Sequence, residues 1–153
     1  MAAALTDNQG VARAVTLRAS SAVAAAGTVN ETAVTNLGAY KQLQVLLDVT
    51  AAATDVNDTL DVYIDTSIDG GTTWNNIIHF NQALGNGGAK QFWATVDPGG
   101  APGTATIAVA TDAAAAVVRP SMFGDQVRVR HVTVDPTGAN MSFTFSVLAL
   151  LKR

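Results

Sequence analysis

Two histidines, His79 and His131, are the side chains here whose ordinary titration lies near neutral pH, so any acid–base chemistry would begin with them. Hydrolysis needs such a base beside a nucleophile, or two carboxylates held at a fixed separation. Neither histidine stands in an H-x-H, H-E-x-x-H or G-x-S-x-G context, and each falls inside an alternating apolar segment. A satisfied or surface histidine is the expectation for both, and no enzymatic activity is expected. The absence of cysteine removes thiolate nucleophiles, Cys-ligated metals and disulfides together. Asp55, Asn57, Asp58 and Asp61 crowd one turn, a composition that suits hard cations. The segment lacks the glycine and the final glutamate of an EF-hand loop, so capping of the turn by Asx side chains is the better account. Gly85-Asn86-Gly87-Gly88 lacks the lysine and the following helix of a phosphate loop. No metal and no cofactor are expected.

Ser67-Ile68-Asp69-Gly70-Gly71-Thr72-Thr73-Trp74 matches S-x-D-x-G-x-T-W at every fixed position and resembles the Asp-box hairpin of sialidase-like propellers. Its physics is local: the Asp69 carboxylate accepts turn N–H groups, the glycines supply positive φ, and Trp74 covers the hairpin. The resemblance implies a hairpin remote from any catalytic site. Ser67, Asp69, Gly71, Thr73 and Trp74 are therefore expected to stabilise a turn, with Trp74 buried. A sugar-stacking platform built from Trp74 and Trp93 is the alternative, because buried sandwich tryptophans read identically in sequence. Arg119, Arg128 and Arg130 form the basic cluster, and Arg128 and Arg130 share one strand face while Val127 and Val129 point the other way. They read either as a solvated outer face or as a contact for an acidic partner or a neighbouring subunit.

The elements that carry these residues have period-two patterning between Gly, Asn, Asp and Pro punctuation, and no helical period persists. Strands are expected over 11–18, 29–37, 40–50, 58–67, 73–80, 89–96, 104–110, 126–134 and 141–151. The 40–50 and 58–67 runs are expected to pair as neighbours. Asp135-Pro136-Thr137-Gly138 is expected to make a four-residue hairpin turn, and Ala113–Val117 a loop or a single helical turn. Residues 1–10 read as a flexible N-terminal arm ahead of a single domain over 11–153. About eight or nine short strands with turns every ~8–12 residues predict an all-β fold, an antiparallel β-sandwich of jelly-roll type.

At 153 residues the chain has room for one core. Charged residues make up 14% and hydrophobic ones 48%, far from a disordered composition. A net charge of −3 leaves no electrostatic footprint for nucleic acid or an anionic membrane, so neither is expected as a partner. The longest apolar run, Ala113–Val118, falls far short of the ~20 residues of a bilayer span. The opening MAAALTDNQG carries no basic region ahead of an apolar stretch, so no export signal is expected.

Three segments in order carry a wider resemblance. They are Leu46–Ala52 (LLDVTAA) with Thr59–Ile64 (TLDVYI), then Ser67–Trp74, then Gly124–Arg130 (GDQVRVR) leading to Phe143–Val147 (FTFSV). This order resembles small virion proteins of tailed bacteriophages, across about residues 40–150. The resemblance implies a β-sandwich building block of the particle, a capsid decoration (cement) protein ahead of a tail or head–tail component. It further implies the major capsid protein of the same virion as partner, a homo-oligomer with the trimer favoured, and a place on the capsid surface after synthesis in the host cytoplasm. It carries no fixed functional residues across, and fold analogy alone does not assign function.

Overall fold

The computed structural model describes residues 12–100, 109–138 and 140–153. Alternation of apolar and polar residues dictates strands, and the described residues form ten: β1 (Ala12–Val23), β2 (Gly27–Asn30), β3 (Gln42–Ala51), β4 (Thr59–Ser67), β5 (Asn75–His79), β6 (Ala83–Leu84), β7 (Lys90–Val96), β8 (Val117–Val118), β9 (Gln126–Val134) and β10 (Phe143–Lys152). One sheet runs β1-β10-β3-β7 and the other β2-β9-β4-β5-β8, with β6 beside β4; every pairing is antiparallel. Leaving aside the two-residue strands β6 and β8, eight principal strands remain, four in each sheet. They interleave so that consecutive strands repeatedly cross between sheets, which is the jelly-roll arrangement.

The core lies between the sheets. Leu43, Val45, Leu47 and Val49 of β3 and Phe143, Phe145, Val147, Ala149 and Leu151 of β10 face inward from one side. Leu60, Val62 and Ile64 of β4 with Val127 and Val129 of β9 close the other. Two irregularities re-aim side chains. Register shifts on both sides of Arg18 leave Leu17 and Arg18, consecutive residues, both buried. A shift between Ile64 and Asp65 likewise lets Ile77 and Ile78 both enter the core.

Several expectations need correction. The 40–50 and 58–67 runs become β3 and β4, which do not pair but sit in opposite sheets. Asp135–Gly138 is no hairpin turn, since it carries the chain from β9 in one sheet to β10 in the other. In both cases alternation specifies a buried face and leaves the partner open. The 29–37 run shrinks to β2 plus a single bridge from Val34 to Val127. Of the loop and the helical turn expected for Ala113–Val117, the structure has the loop, in which Ala116 adopts φ 66° before the chain enters β8 at Val117. Residues 1–10, and all but the end of the expected 104–110 strand, lie outside the described residues, and residues 109–110 are not in a strand.

Gly124 packs tightly against the end of β4. Its N–H donates to the Thr66 hydroxyl at 2.9 Å, and a Cβ there would lie 2.2 Å from the Ser67 carbonyl oxygen and 2.8 Å from Ile68 Cγ2. Gly124→Ala is expected to destabilise the fold by about 2 kcal/mol or more, because backbone has to move to admit the methyl group. Urea unfolding measures this, and an unchanged midpoint would contradict the close approach.

Candidate functional site

The β4–β5 hairpin is closed by the residues its motif singles out. Ser67 Oγ donates to Asp69 Oδ1 at 2.8 Å and accepts the Gly71 N–H at 2.9 Å, while the Thr73 N–H donates to the same carboxylate oxygen at 2.8 Å. Gly70 and Gly71 take φ of 73° and 90°. The Thr73 backbone N–H, then the side chains of Thr73 and Ser67, hold the Asp69 carboxyl down at about 2. Trp74 departs from expectation, being half-buried rather than part of the core. Its indole N–H donates to the Gly71 carbonyl at 2.8 Å, and its ring lies beneath the Arg128 guanidinium at 4.2 Å.

That stacking opens a charged ladder across the outer face of the β2-β9-β4-β5-β8 sheet. Cross-strand register pairs Asp65 with Arg128, and Tyr63 with both Arg130 and His79. Asp65, 3% exposed at its side chain, accepts Arg130 Nε at 3.0 Å and stands 3.6 Å from Arg128 Nη2. Arg130 covers the Tyr63 ring at 4.0 Å, and the His79 ring stacks on the same tyrosine at 4.1 Å. Burial opposes the Arg130 charge, but Asp65 and Asp112 outweigh it and hold the guanidinium above its ordinary value. Burial, followed by the Asp61 and Asp112 charges, pushes the Tyr63 hydroxyl up.

The ladder also ties down the segment that leads into β8. Arg130 Nη2 donates to Asp112 at 2.7 Å, Arg119 donates to the carbonyls of Asn76 and Thr111 at 3.0 and 2.7 Å, and the buried Asn76 Oδ1 accepts the Ala113 N–H at 2.9 Å. His79 lies between the Ala113 carbonyl, 2.8 Å from Nδ1, and the Asp61 carboxylate, 2.9 Å from Nε2. The structure thus brings Arg128 and Arg130 together on one face, as their spacing requires, and sets Arg119 at its edge. All three engage other parts of the same chain. Sequence reasoning missed Asp65 as the shared partner, since an outward aspartate in a strand gives no sign of two arginines on the next strand.

A second polar cluster lies inside the sandwich and had no sequence signal. The bulge that turns Arg18 inward sets its Nε 2.9 Å from Glu31 Oε1 and its guanidinium 3.8 Å over the Phe145 ring; it also donates to the Phe145 carbonyl. His131 meets Glu31 at 3.5 Å and the Phe145 edge at 5.3 Å, while its Nδ1 finds no partner among the described residues. Burial, then the Arg18 charge, holds the His131 imidazole below its ordinary value. His79 is a satisfied histidine as expected, whereas His131 is neither fully satisfied nor on the surface.

The two tryptophans do not form a platform. Trp74 packs under β9 on the outer face of one sheet, whereas Trp93, 62% exposed, belongs to β7 of the other. Trp93 borders a groove of about 250 Å3 between β5 and β7, lined also by Ile78, Phe80, Asn81 and Phe92. In the Asp55–Asp61 turn, Asp55 caps the Asn57 N–H at 3.0 Å as expected, and Asp61 joins the ladder instead.

The chain matches no protein-family model and no curated protein. Its fold is similar to solved structures of virus particles. Against the structure of infectious bursal virus derived T=1 particles the TM-score is 0.56, with 12% identity over 93% of this chain and 31% of that one. For the infectious bursal disease virus VP2 subviral particle the values are 0.51, 12%, 93% and 32%. For the Gx strain of infectious bursal disease virus they are 0.53, 12%, 92% and 32%. What is shared is the fold. This chain spans about a third of the length of the chains it matches, and at such identity the likeness extends to the jelly-roll β-sandwich alone.

Two outcomes test the site. Asp65→Ala removes the carboxylate beside Arg128 and leaves Arg130 with Asp112 alone, and is expected to cost roughly 3 kcal/mol of stability in urea unfolding, as for other broken buried pairs. Asp69 is held below its unfolded value of 3.8, so its contribution is complete above that value and is lost as pH falls towards about 2. The melting-temperature difference between the natural chain and Asp69→Asn should therefore shrink over that interval.

Proposed function

We propose that this chain is a non-enzymatic structural protein of a virion, and within that class a decoration (cement) protein that binds and stabilises the head shell of a tailed bacteriophage. The observation that carries the reading is the eight-strand jelly roll, alike across 93% of the chain to a fold found in virus particles. The phage-type order of segments from Leu46 to Val147 supports the narrower assignment. So does the chemistry of the ladder, where charged and aromatic side chains lock one sheet face into a rigid surface and are bound to one another. The partner in this reading is the major capsid protein of the same virion, the location is the capsid surface, and the protein is a homo-oligomer with three-fold closure favoured. Neither nucleic acid nor membrane takes part.

Arg119, Arg128 and Arg130 are assigned to the contact with an acidic partner or a neighbouring subunit. Arg128 is the strongest of the three, because its guanidinium stands 3.6 Å from Asp65, whereas Arg119 and Arg130 are each held by two closer hydrogen bonds. A glycan-binding module is the second reading. It is favoured by one observation, the exposed Trp93 ring beside a groove that also carries Asn81 and Gln91.

Solution mass followed by co-sedimentation with shells lacking the protein tests the proposal. A closed oligomer that saturates the shells and raises their resistance to heat is expected, since binding stabilises the bound state. Removing residues 1–10 should leave the melting temperature unchanged and weaken sedimentation with shells. A monomer that ignores shells and binds a glycan array through Trp93 would overturn the decoration reading.

A further inference from the structure

Where β4 begins and β9 ends, three carboxylates from two distant turns meet. The antiparallel register pairs Thr59 with Val134, so Asp58 and Asp135 come next, opposite one another at the end of the ladder. Alternation turns Asp58 toward the interior, in line with the buried Leu60 two residues further along, whereas Asp135 stays partly exposed at the rim, its Oδ1 accepting the N–H groups of Thr137 and Gly138 at 3.2 and 2.6 Å. Asp58 is fully buried, and neither of its carboxylate oxygens finds a hydrogen-bond partner.

Asp55 closes the same corner. Its carbonyl accepts the Asp58 N–H at 3.2 Å, and its carboxylate accepts the Thr137 hydroxyl at 2.7 Å. That hydroxyl oxygen lies 3.5 Å from Asp135 Oδ1, so Thr137 bridges the two turns. Gly85 packs over them. Its N–H donates to the Asp58 carbonyl at 2.8 Å, and a Cβ there would fall 1.6 Å from the Asp55 carbonyl oxygen.

Like charges directly opposite in a ladder repel, and a buried carboxylate without a partner is costly. No lysine, arginine or histidine among the described residues forms an ion pair with Asp55, Asp58 or Asp135. A proton or a hard cation between the carboxylates relieves the repulsion. One proton leaves most of the three negative charges in place, whereas a divalent ion offsets them and occupies the two open oxygens of Asp58.

We propose that this corner is a binding site for one divalent cation of calcium type, held by the carboxylates of Asp58 and Asp135 with Asp55 adding negative charge. Among the described residues no group of three acidic or histidine side chains is disposed to hold a metal ion by itself. The remaining positions therefore fall to turn oxygens and water, which calcium accepts and the stricter octahedral demand of magnesium does not favour.

The test is thermal melting of the full chain at neutral pH, in EDTA and in a millimolar CaCl2 series, with MgCl2 for comparison. A saturable upward shift with calcium is expected, weaker with magnesium, because a ligand bound only by the folded state raises its stability. Asp58→Asn and Asp135→Asn should lose the calcium shift and, in EDTA, melt no lower than the natural chain, since each removes a repelling charge. Isothermal titration of the natural chain with CaCl2 gives a reading independent of whether either variant folds; one site per chain is expected.

Failure is distinct from success. No heat and no shift with calcium would overturn the site in favour of a shared proton, and the pH dependence has the sign to match. Burial, followed by Asp135 and Asp55, pushes the Asp58 carboxyl up, so a shared proton stabilises at low pH and is lost as pH rises through the folded value. A calcium shift that survives in both Asn variants would also overturn the proposal, by locating the ion elsewhere.

Discussion

The structure depends on the closing of two sheets over one apolar layer. The central strand β10 presents Phe143, Phe145, Val147, Ala149 and Leu151 to that layer, and β4 and β9 answer with Leu60, Val62, Ile64, Val127 and Val129. These side chains come from segments far apart in the chain, so no pair of neighbouring strands holds the core by itself. In a jelly roll the connections cross from sheet to sheet, and a strand is stable only once the opposite sheet covers its apolar face. Long-range closure of this kind explains why small residues sit at the tight crossings, with Gly124 against Ser67 and Gly85 against Asp55.

With the inner faces committed mainly to apolar packing, most polar chemistry collects on the outer faces, the edges and the ends, and Arg18 and His131 are the inward exceptions against Phe145. On one outer face a nearly buried aspartate, Asp65, holds two arginines, and the arginines in turn cover Trp74 and Tyr63. The arrangement stabilises because each guanidinium lies beside the Asp65 carboxylate and over an aromatic ring. It also extends the sheet's rigidity to the segment around Asp112 and Ala113, which Arg130, Arg119, Asn76 and His79 all hold. At the β1 edge the bulge around Arg18 places a guanidinium and an imidazole around Glu31, and at the end of β4 three carboxylates meet.

A particle protein has uses for such a surface. Rigidity that comes from within the chain lets a subunit meet its neighbours without first ordering itself, which lowers the entropic cost of association. For this chain that role is the proposal made above, drawn from the order of segments that resembles small phage virion proteins.

Much of the fold was legible in the sequence. Period-two alternation located β3, β4, β7, β9 and most of β10, and correctly turned Val127 and Val129 inward with Arg128 and Arg130 outward. The Ser67–Trp74 motif specified its own hairpin, because every bond that closes it lies within eight residues. What alternation cannot encode is the identity of the strand alongside, so the placing of β3 and β4 in different sheets, and of β10 across the sandwich from β9, belonged to tertiary structure. For the same reason the ladder's shared aspartate, the inward turn of Arg18 and the meeting of Asp58 with Asp135 were invisible in one dimension. Each depends on register between strands from distant parts of the chain, and register is decided when the two sheets find the single alignment that buries every apolar face at once.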